Sequence, residues 1–208
     1  IPLEKGPESD EFFLTFDVLG TQQNVRTDPV PLAPPPPPDV ARPSDLGLRV
    51  FDEINATFAA LTTVSDQSPG VDATFEQVRQ ALPTVENIDT FVSAHPVAIA
   101  QLAIQYCDAL IEDGTRRAAY FPGFDFNASP AVAFGGAGRD AFLNPLLDRV
   151  LGTQQLATEA DRAGVATDLG DLIDRLGACG TSCPAGRTAT IAKATCAALL
   201  GSAVTLVQ

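Results

Sequence analysis

The sequence predicts an all-α body of about six to seven helices packed as a bundle, preceded by an extended N-terminal arm. Three observations carry that prediction. Apolar residues recur at three- and four-residue spacing through most of positions 44–208. Eight prolines (Pro29, Pro31, Pro34 to Pro38 and Pro43) crowd into positions 29–43. Upstream of them, Leu14, Phe16 and Val18 alternate with Phe13, Thr15 and Asp17, the period of two that marks a half-buried strand.

The arm spans positions 1–43 and the body 44–208. Positions 1–10 are polar. The strand is expected over Phe12–Leu19, ended by Gly20. Consecutive prolines fix φ and favour an extended polyproline II rod rising about 3 Å per residue, so positions 28–43 read as a spacer. The first body helix is expected from an N-cap at Ser44 to Thr62, with Phe51, Ile54, Phe58 and Leu61 on one face. Phe75, Val78 and Leu82 mark a second, stopped by Pro83. A third is expected after Thr84, with Val85, Ile88, Phe91 and Val92 turned inward.

The longest apolar helix begins at Ser93–Pro96. It carries two adjacent stripes, Val97, Ala100, Ile104, Cys107 and Ile111 beside Ile99, Ala103, Tyr106 and Leu110. So wide an apolar arc predicts a central helix. Positions 115–137 read as an irregular aromatic stretch that folds back over the helices. Further helices are expected near 139–151, 155–177 and 187–207. The last has a seam of Ala192, Cys196, Leu199, Ala203 and Leu206 and small residues suited to close contact. No repeat of 20–50 residues is visible, which argues against a solenoid.

The chain has 208 residues, 45% hydrophobic and 19% charged, which excludes wholesale disorder. Its formal net charge of -13 opposes nucleic-acid binding, which requires a basic surface to displace counterions. The most apolar stretch, Ala194 to Val207, is too short to span a bilayer. The chain lacks methionine and starts at Ile1. We therefore expect either a fragment or an exported product, extracellular or in the periplasm or cell envelope, whose leader has been removed.

An even set of four cysteines suits an oxidising compartment. Four thiols allow three pairings. The expected one joins Cys107 to Cys196 across two helices and Cys179 to Cys183 around a tight loop. Reduced, buried thiols are the alternative. The C-x3-C spacing, with one distant histidine, does not suggest zinc, so no metal and no cofactor is assigned.

Catalytic signals are weak. Gly136-x-Gly138-x-x-Ala141, after a possible short strand at "AVAF", is a variant dinucleotide fingerprint. It lacks a surrounding βαβ pattern, and Asn144-Pro145 is expected to break the following helix after little more than a turn. A loop before a helix is the better account. His95 stands before Pro96 at a helix start and reads as structural. Glu112 with Asp113, and Asp171 with Asp174, read as solvated faces. The chain contains no G-x-S-x-G elbow. Asn55 and Asn127 begin formal glycosylation sequons, Asn127 in the better setting.

The stretches "DLGLRVFDEINATFAALTTVS", "LPTVENIDTFVSAHPVAIAQLAIQYCDAL" and "RTATIAKATCAALLGSAVTLVQ" resemble the helical module of large exported bacterial proteins known for accompanying LamG-like domains. The resemblance covers positions 44–208 and implies an envelope or extracellular protein. It brings no active-site residue. A β-domain of LamG size is missing here, which weakens any inference of glycan binding.

The expected role is that of a structural or interaction subunit in an exported assembly such as a filament or a multi-subunit envelope complex. Phe12, Phe13, Leu14, Phe16 and Val18 would dock on another protein chain; an arm that packs on its own helices is the alternative. A secreted ligand-binding module using Tyr120, Phe121, Phe124 and Phe126 is the alternative. An enzyme with a site near His95 and Asp125 is another.

Overall fold

A computed structural model of the chain describes residues 18–19, 22–23, 47–152, 161–179 and 183–207. The chain divides into two compact units, Ile1–Pro43 and Ser44–Gln208.

In the first unit, β1 (Val18–Leu19) pairs antiparallel with β2 (Gln22–Gln23), with Val18 opposite Gln23 and Leu19 opposite Gln22. The strand expected to stand alone thus has a local partner at its C-terminal end, because the antiparallel register needs only a short connection. Phe12, Phe13, Leu14 and Phe16, and the proline spacer, lie outside the described residues.

The second unit is mostly helical. Its described α-helices are α1 (Phe51–Thr62), α2 (Pro69–Val78), α3 (Ala94–Glu112), α4 (Gly114–Tyr120), α5 (Pro130–Ala133), α6 (Ala137–Val150), α7 (Arg162–Gly177), α8 (Arg187–Leu200) and α9 (Ala203–Leu206). Helix α3 is the centre of packing, with α1, α2, α4 and α8 against it. Its buried stripe holds Ile99, Leu102, Tyr106, Cys107 and Leu110.

The first helix begins later than expected. Gly47–Val50 is extended because its backbone groups bond elsewhere. Leu48 N donates to Glu86 O (2.7 Å), Arg49 N to Leu206 O (2.8 Å) and Phe51 N to Pro83 O (2.9 Å). Bridges pair Gly47 with Asn87 and Leu48 with Val207. Helix α1 then starts at Phe51, and the Glu53 carboxylate accepts from Val50 N at 2.9 Å, satisfying a donor outside the helical ladder.

The helix expected after Thr84 is replaced by a single 3-10 turn, Ile88–Thr90, capped by Asn87, whose side chain accepts from Asp89 N at 2.9 Å. Helix α6 runs through Pro145 where a break was expected. Proline removes a hydrogen bond there, but Phe142, Leu143, Leu146 and Leu147 are all buried around it, and their packing holds the helix. The possible strand at "AVAF" is instead largely α5. The last expected helix divides at Gly201–Ser202 into α8 and α9, which leaves Ala203 exposed and out of the buried seam.

Glycine is required at the α5–α6 junction. Gly136 has φ +49, and a Cβ at Gly138 would stand 2.1 Å from Ala133 O. The fingerprint-like spacing therefore reflects a left-handed turn and a close backbone approach.

Candidate interaction surface

Two disulfides, Cys107–Cys196 and Cys179–Cys183, join the pairs expected from the sequence. The first ties α3 to α8 deep in the body. A Cβ at Gly201 would lie 3.7 Å from Ala103 Cβ and 3.9 Å from Ala100 Cα, so small residues bring α8 close to α3. Beside the disulfide, Lys193 on α8 donates to Asp108 (2.6 Å) and to Glu112 on α3. Partial burial opposes the Lys193 charge, but hydrogen bonds to these two carboxylates outweigh it and hold its pKa above the ordinary value.

The aromatic stretch is core. Tyr120, Phe121, Phe124 and Phe126, offered above as a ligand platform, are all buried. Phe121 stacks on Phe142 at 4.8 Å, Phe124 meets Phe126 edge-on at 4.7 Å, and Arg117 lies over the Phe126 ring at 5.0 Å. Their faces are filled by protein, which corrects the ligand-platform expectation and satisfies the preference of aromatics for burial in offset and T-shaped pairs. Tyr120 donates to Leu61 O at 2.9 Å, and burial pushes its phenol up to about 12. Burial also raises Tyr106, which donates to Asn55 Oδ1 at 2.6 Å. That bond and the burial of Asn55 close its sequon. Asn127 is exposed.

His95 and Asp125 are each engaged locally. His95 Nδ1 accepts from Val92 N at 3.3 Å and its ring meets Phe91 edge-on. Asp125 Oδ1 accepts from Asn127 N at 2.8 Å, the bond of an Asx turn. Glu112 is paired to Lys193, Asp174 to Arg139, and Asp113 caps α4. Hydrogen bonds from the Arg116 and Thr115 backbone amides help hold the Asp113 carboxyl below its ordinary pKa, the Arg116 bond most strongly. Among the described residues, no group of three or more His, Cys, Asp or Glu side chains converges in a way that could hold a metal ion. No described helix is long and apolar enough to cross a membrane.

One surface was not anticipated. Of the large hydrophobic side chains exposed among the described residues, all but Val132 fall between positions 85 and 104: Val85, Ile88, Phe91, Val92, Val97 and Ile104. The first four were expected to face inward. They do not, because the segment is held extended by its bond to Leu48 and then closed into a single turn, without a helix to aim its side chains at the core. Val97 and Ile104, 60% and 56% exposed, stand on one face of α3 two turns apart. They belong to the stripe whose lower half, Cys107 and Ile111, is fully buried. The periodicity was visible in the sequence; the exposure of its upper half among the described residues was not.

Comparison with known proteins returns no matching family model, no matching curated protein and no matching solved structure.

Proposed function

We propose that this chain is a structural or interaction subunit of an exported assembly, extracellular or in the cell envelope. Its body is a disulfide-supported helical bundle, and its arm docks on a neighbouring protein chain through Phe12, Phe13, Leu14, Phe16 and Val18. A filament is one form such an assembly takes. The observation that carries the reading is the concentration of exposed apolar side chains at 85–104. Exposed apolar side chains gathered in one short segment mark a candidate contact site. The two disulfides support an oxidising setting, and the strong negative charge supports protein partners over nucleic acid. The resemblance to the helical module of exported bacterial proteins points the same way.

The test is deletion of residues 1–20, with the complex isolated from the producing cells and sized. We expect a folded body with both disulfides that no longer enters its assembly. Retention of the native complex by the truncated chain would refute the reading.

A further inference from the structure

We propose that Asn127 is a modification site that receives an N-linked saccharide on the folded chain, while the second sequon, at Asn55, stays bare. For its compartment alone this rests on the exported reading above. Three observations carry it.

The first is how the segment is presented. Asn127-Ala128-Ser129 has the Asn-x-Ser pattern of an N-glycosylation acceptor, which must lie at the surface. Along this segment Phe124, Phe126 and Pro130 are buried, while Asp125, Asn127 and Ser129 are exposed. The buried side chains pin it to the body. Phe126 meets Phe121 at 5.8 Å and Phe124 at 4.7 Å, and Arg117 covers its ring. Thr188 on α8 donates to the carbonyl of Ala128, the middle residue of the sequon, at 2.7 Å. Asn127 and Ser129 are thus offered to solvent from an anchored turn. The second is the state of their polar groups. The Asx-turn bond to Asp125 uses the Asn127 backbone N. Among the described residues, the Asn127 side-chain amide and the Ser129 hydroxyl have no hydrogen-bond partner. One is free to react and the other free to be recognised, and no bond of the fold has to break. The third is the contrast with Asn55-Ala56-Thr57. That sequon lies within α1, Asn55 is 8% exposed, and its Oδ1 accepts from the Tyr106 hydroxyl at 2.6 Å. A saccharide there would leave the Tyr106 hydroxyl buried without its partner and force a bulky hydrophilic group between α1 and α3.

The donor is a saccharide held at its C1 by a diphosphate ester, brought by a transferase of the producing cell. A bond forms between Asn127 Nδ2 and C1, and the bond from C1 to the ester oxygen breaks. The diphosphate leaves with the bonding pair, and one Nδ2 proton passes to a base of the transferase. Nothing is oxidised or reduced. The attached saccharide keeps the 124–130 side of the body in solvent within an assembly.

The test uses the full chain isolated from the cells that naturally produce it, with peptides from the exported and cytoplasmic fractions weighed by mass spectrometry. We expect a saccharide mass on the exported peptide that holds Asn127 and none on the peptide that holds Asn55. Asn127→Gln and Ser129→Ala should each remove the added mass, with far-ultraviolet dichroism and both disulfides unchanged, whereas Ser129→Thr should retain it. A bare Asn127 in an exported, oxidised chain overturns the inference and leaves the exported reading standing. A bare Asn127 in a chain found only in the cytoplasm with free thiols overturns both. A saccharide on Asn55 overturns the inference as well, because the fold would then not be what selects the site. So does an added mass that survives Ser129→Ala.

Discussion

Two parts of the apolar surface of α3 have opposite fates. One part, which takes in Cys107 and Ile111 at the lower end of the Val97 stripe, meets neighbouring helices and is sealed by a disulfide, a tyrosine hydroxyl and a lysine between two carboxylates. The other carries Val97, Ala100 and Ile104 and is exposed. Both stripes satisfy the helical apolar period. The difference shows that period reports helix, while burial depends on whether a neighbouring element arrives. On the sealed side the neighbours come from distant parts of the chain, α1 before α3 and α8 long after it. On the open side the adjacent segment, 84–93, is occupied in pairing with Gly47 and Leu48 and never forms the helix that would have turned its side chains inward.

The sealed face should be the costliest to disturb. Cys107 and Cys196 are separated by 89 residues, and closing a loop of that size restricts the unfolded chain by roughly 4–5 kcal/mol on a chain-entropy account. Replacing both with alanine should lower stability by that order in denaturant titration, and the two small cavities left behind add to it. Replacing Cys179 and Cys183, separated by 4 residues, should cost only about 2 kcal/mol. Equal losses from the two pairs would show that the α3–α8 junction is held by packing alone.

A smaller loss is expected from the tyrosines. Tyr106→Phe leaves Asn55 Oδ1 buried without its donor, at about 1–3 kcal/mol. The chain has two tyrosines, and burial raises the pKa of both. A raised folded pKa means that the native state keeps its proton where the unfolded chain has lost it. The stability this adds is fully present below the ordinary value of 10.0 and is lost as pH climbs through the Tyr120 value of about 12. Phenolate absorbance should therefore appear together with alkaline unfolding. A tyrosine titrating freely near pH 10.0 in the native protein would show that its side of the junction is open to water.

The same contrast explains what could be read in advance. Helix α3, its partner α8 and the two cysteine pairs were legible because Leu, Ile, Ala and Cys recur at helical spacing across long runs, and long runs constrain the period well. The inward reading of Val85, Ile88, Phe91 and Val92 used spacing just as good. It failed because the local backbone is decided by a long-range bond, Leu48 N to Glu86 O, that no local pattern encodes. Helix α6 failed the other way: Pro145 is a local breaker, overridden by four buried neighbours. The aromatic run at 120–134 was legible as material that must be covered, yet composition could not separate rings packed on each other from rings offered to a ligand. Phe12, Phe13, Leu14 and Phe16, expected to dock on another chain, lie outside the described residues, and the exposed side chains at 85–104 could have been suspected only from the apolar excess between Pro83 and Ile104.

The smallest expected effect concerns the open face. Ile104 is 56% exposed, so Ile104→Ser removes little area already withdrawn from water in a single chain. Stability of the dissociated protein should change by no more than about 0.5 kcal/mol. The matching substitution on the sealed face, Leu102→Ser, removes a fully buried side chain and places a hydroxyl in its cavity, at a cost of several kcal/mol, about 3 or more. The two residues stand two positions apart, on nearly opposite sides of one helix, and differ chiefly in what lies over them. If the two substitutions cost the same under dissociating conditions, something already covers Ile104 within the single chain, and the surface at 85–104 is not free to receive a neighbour. If Ile104→Ser is neutral in the monomer but weakens association, the exposed stripe is retained for contact between chains, and the apolar period that α3 carries on both faces has two separate causes: folding on one side and assembly on the other.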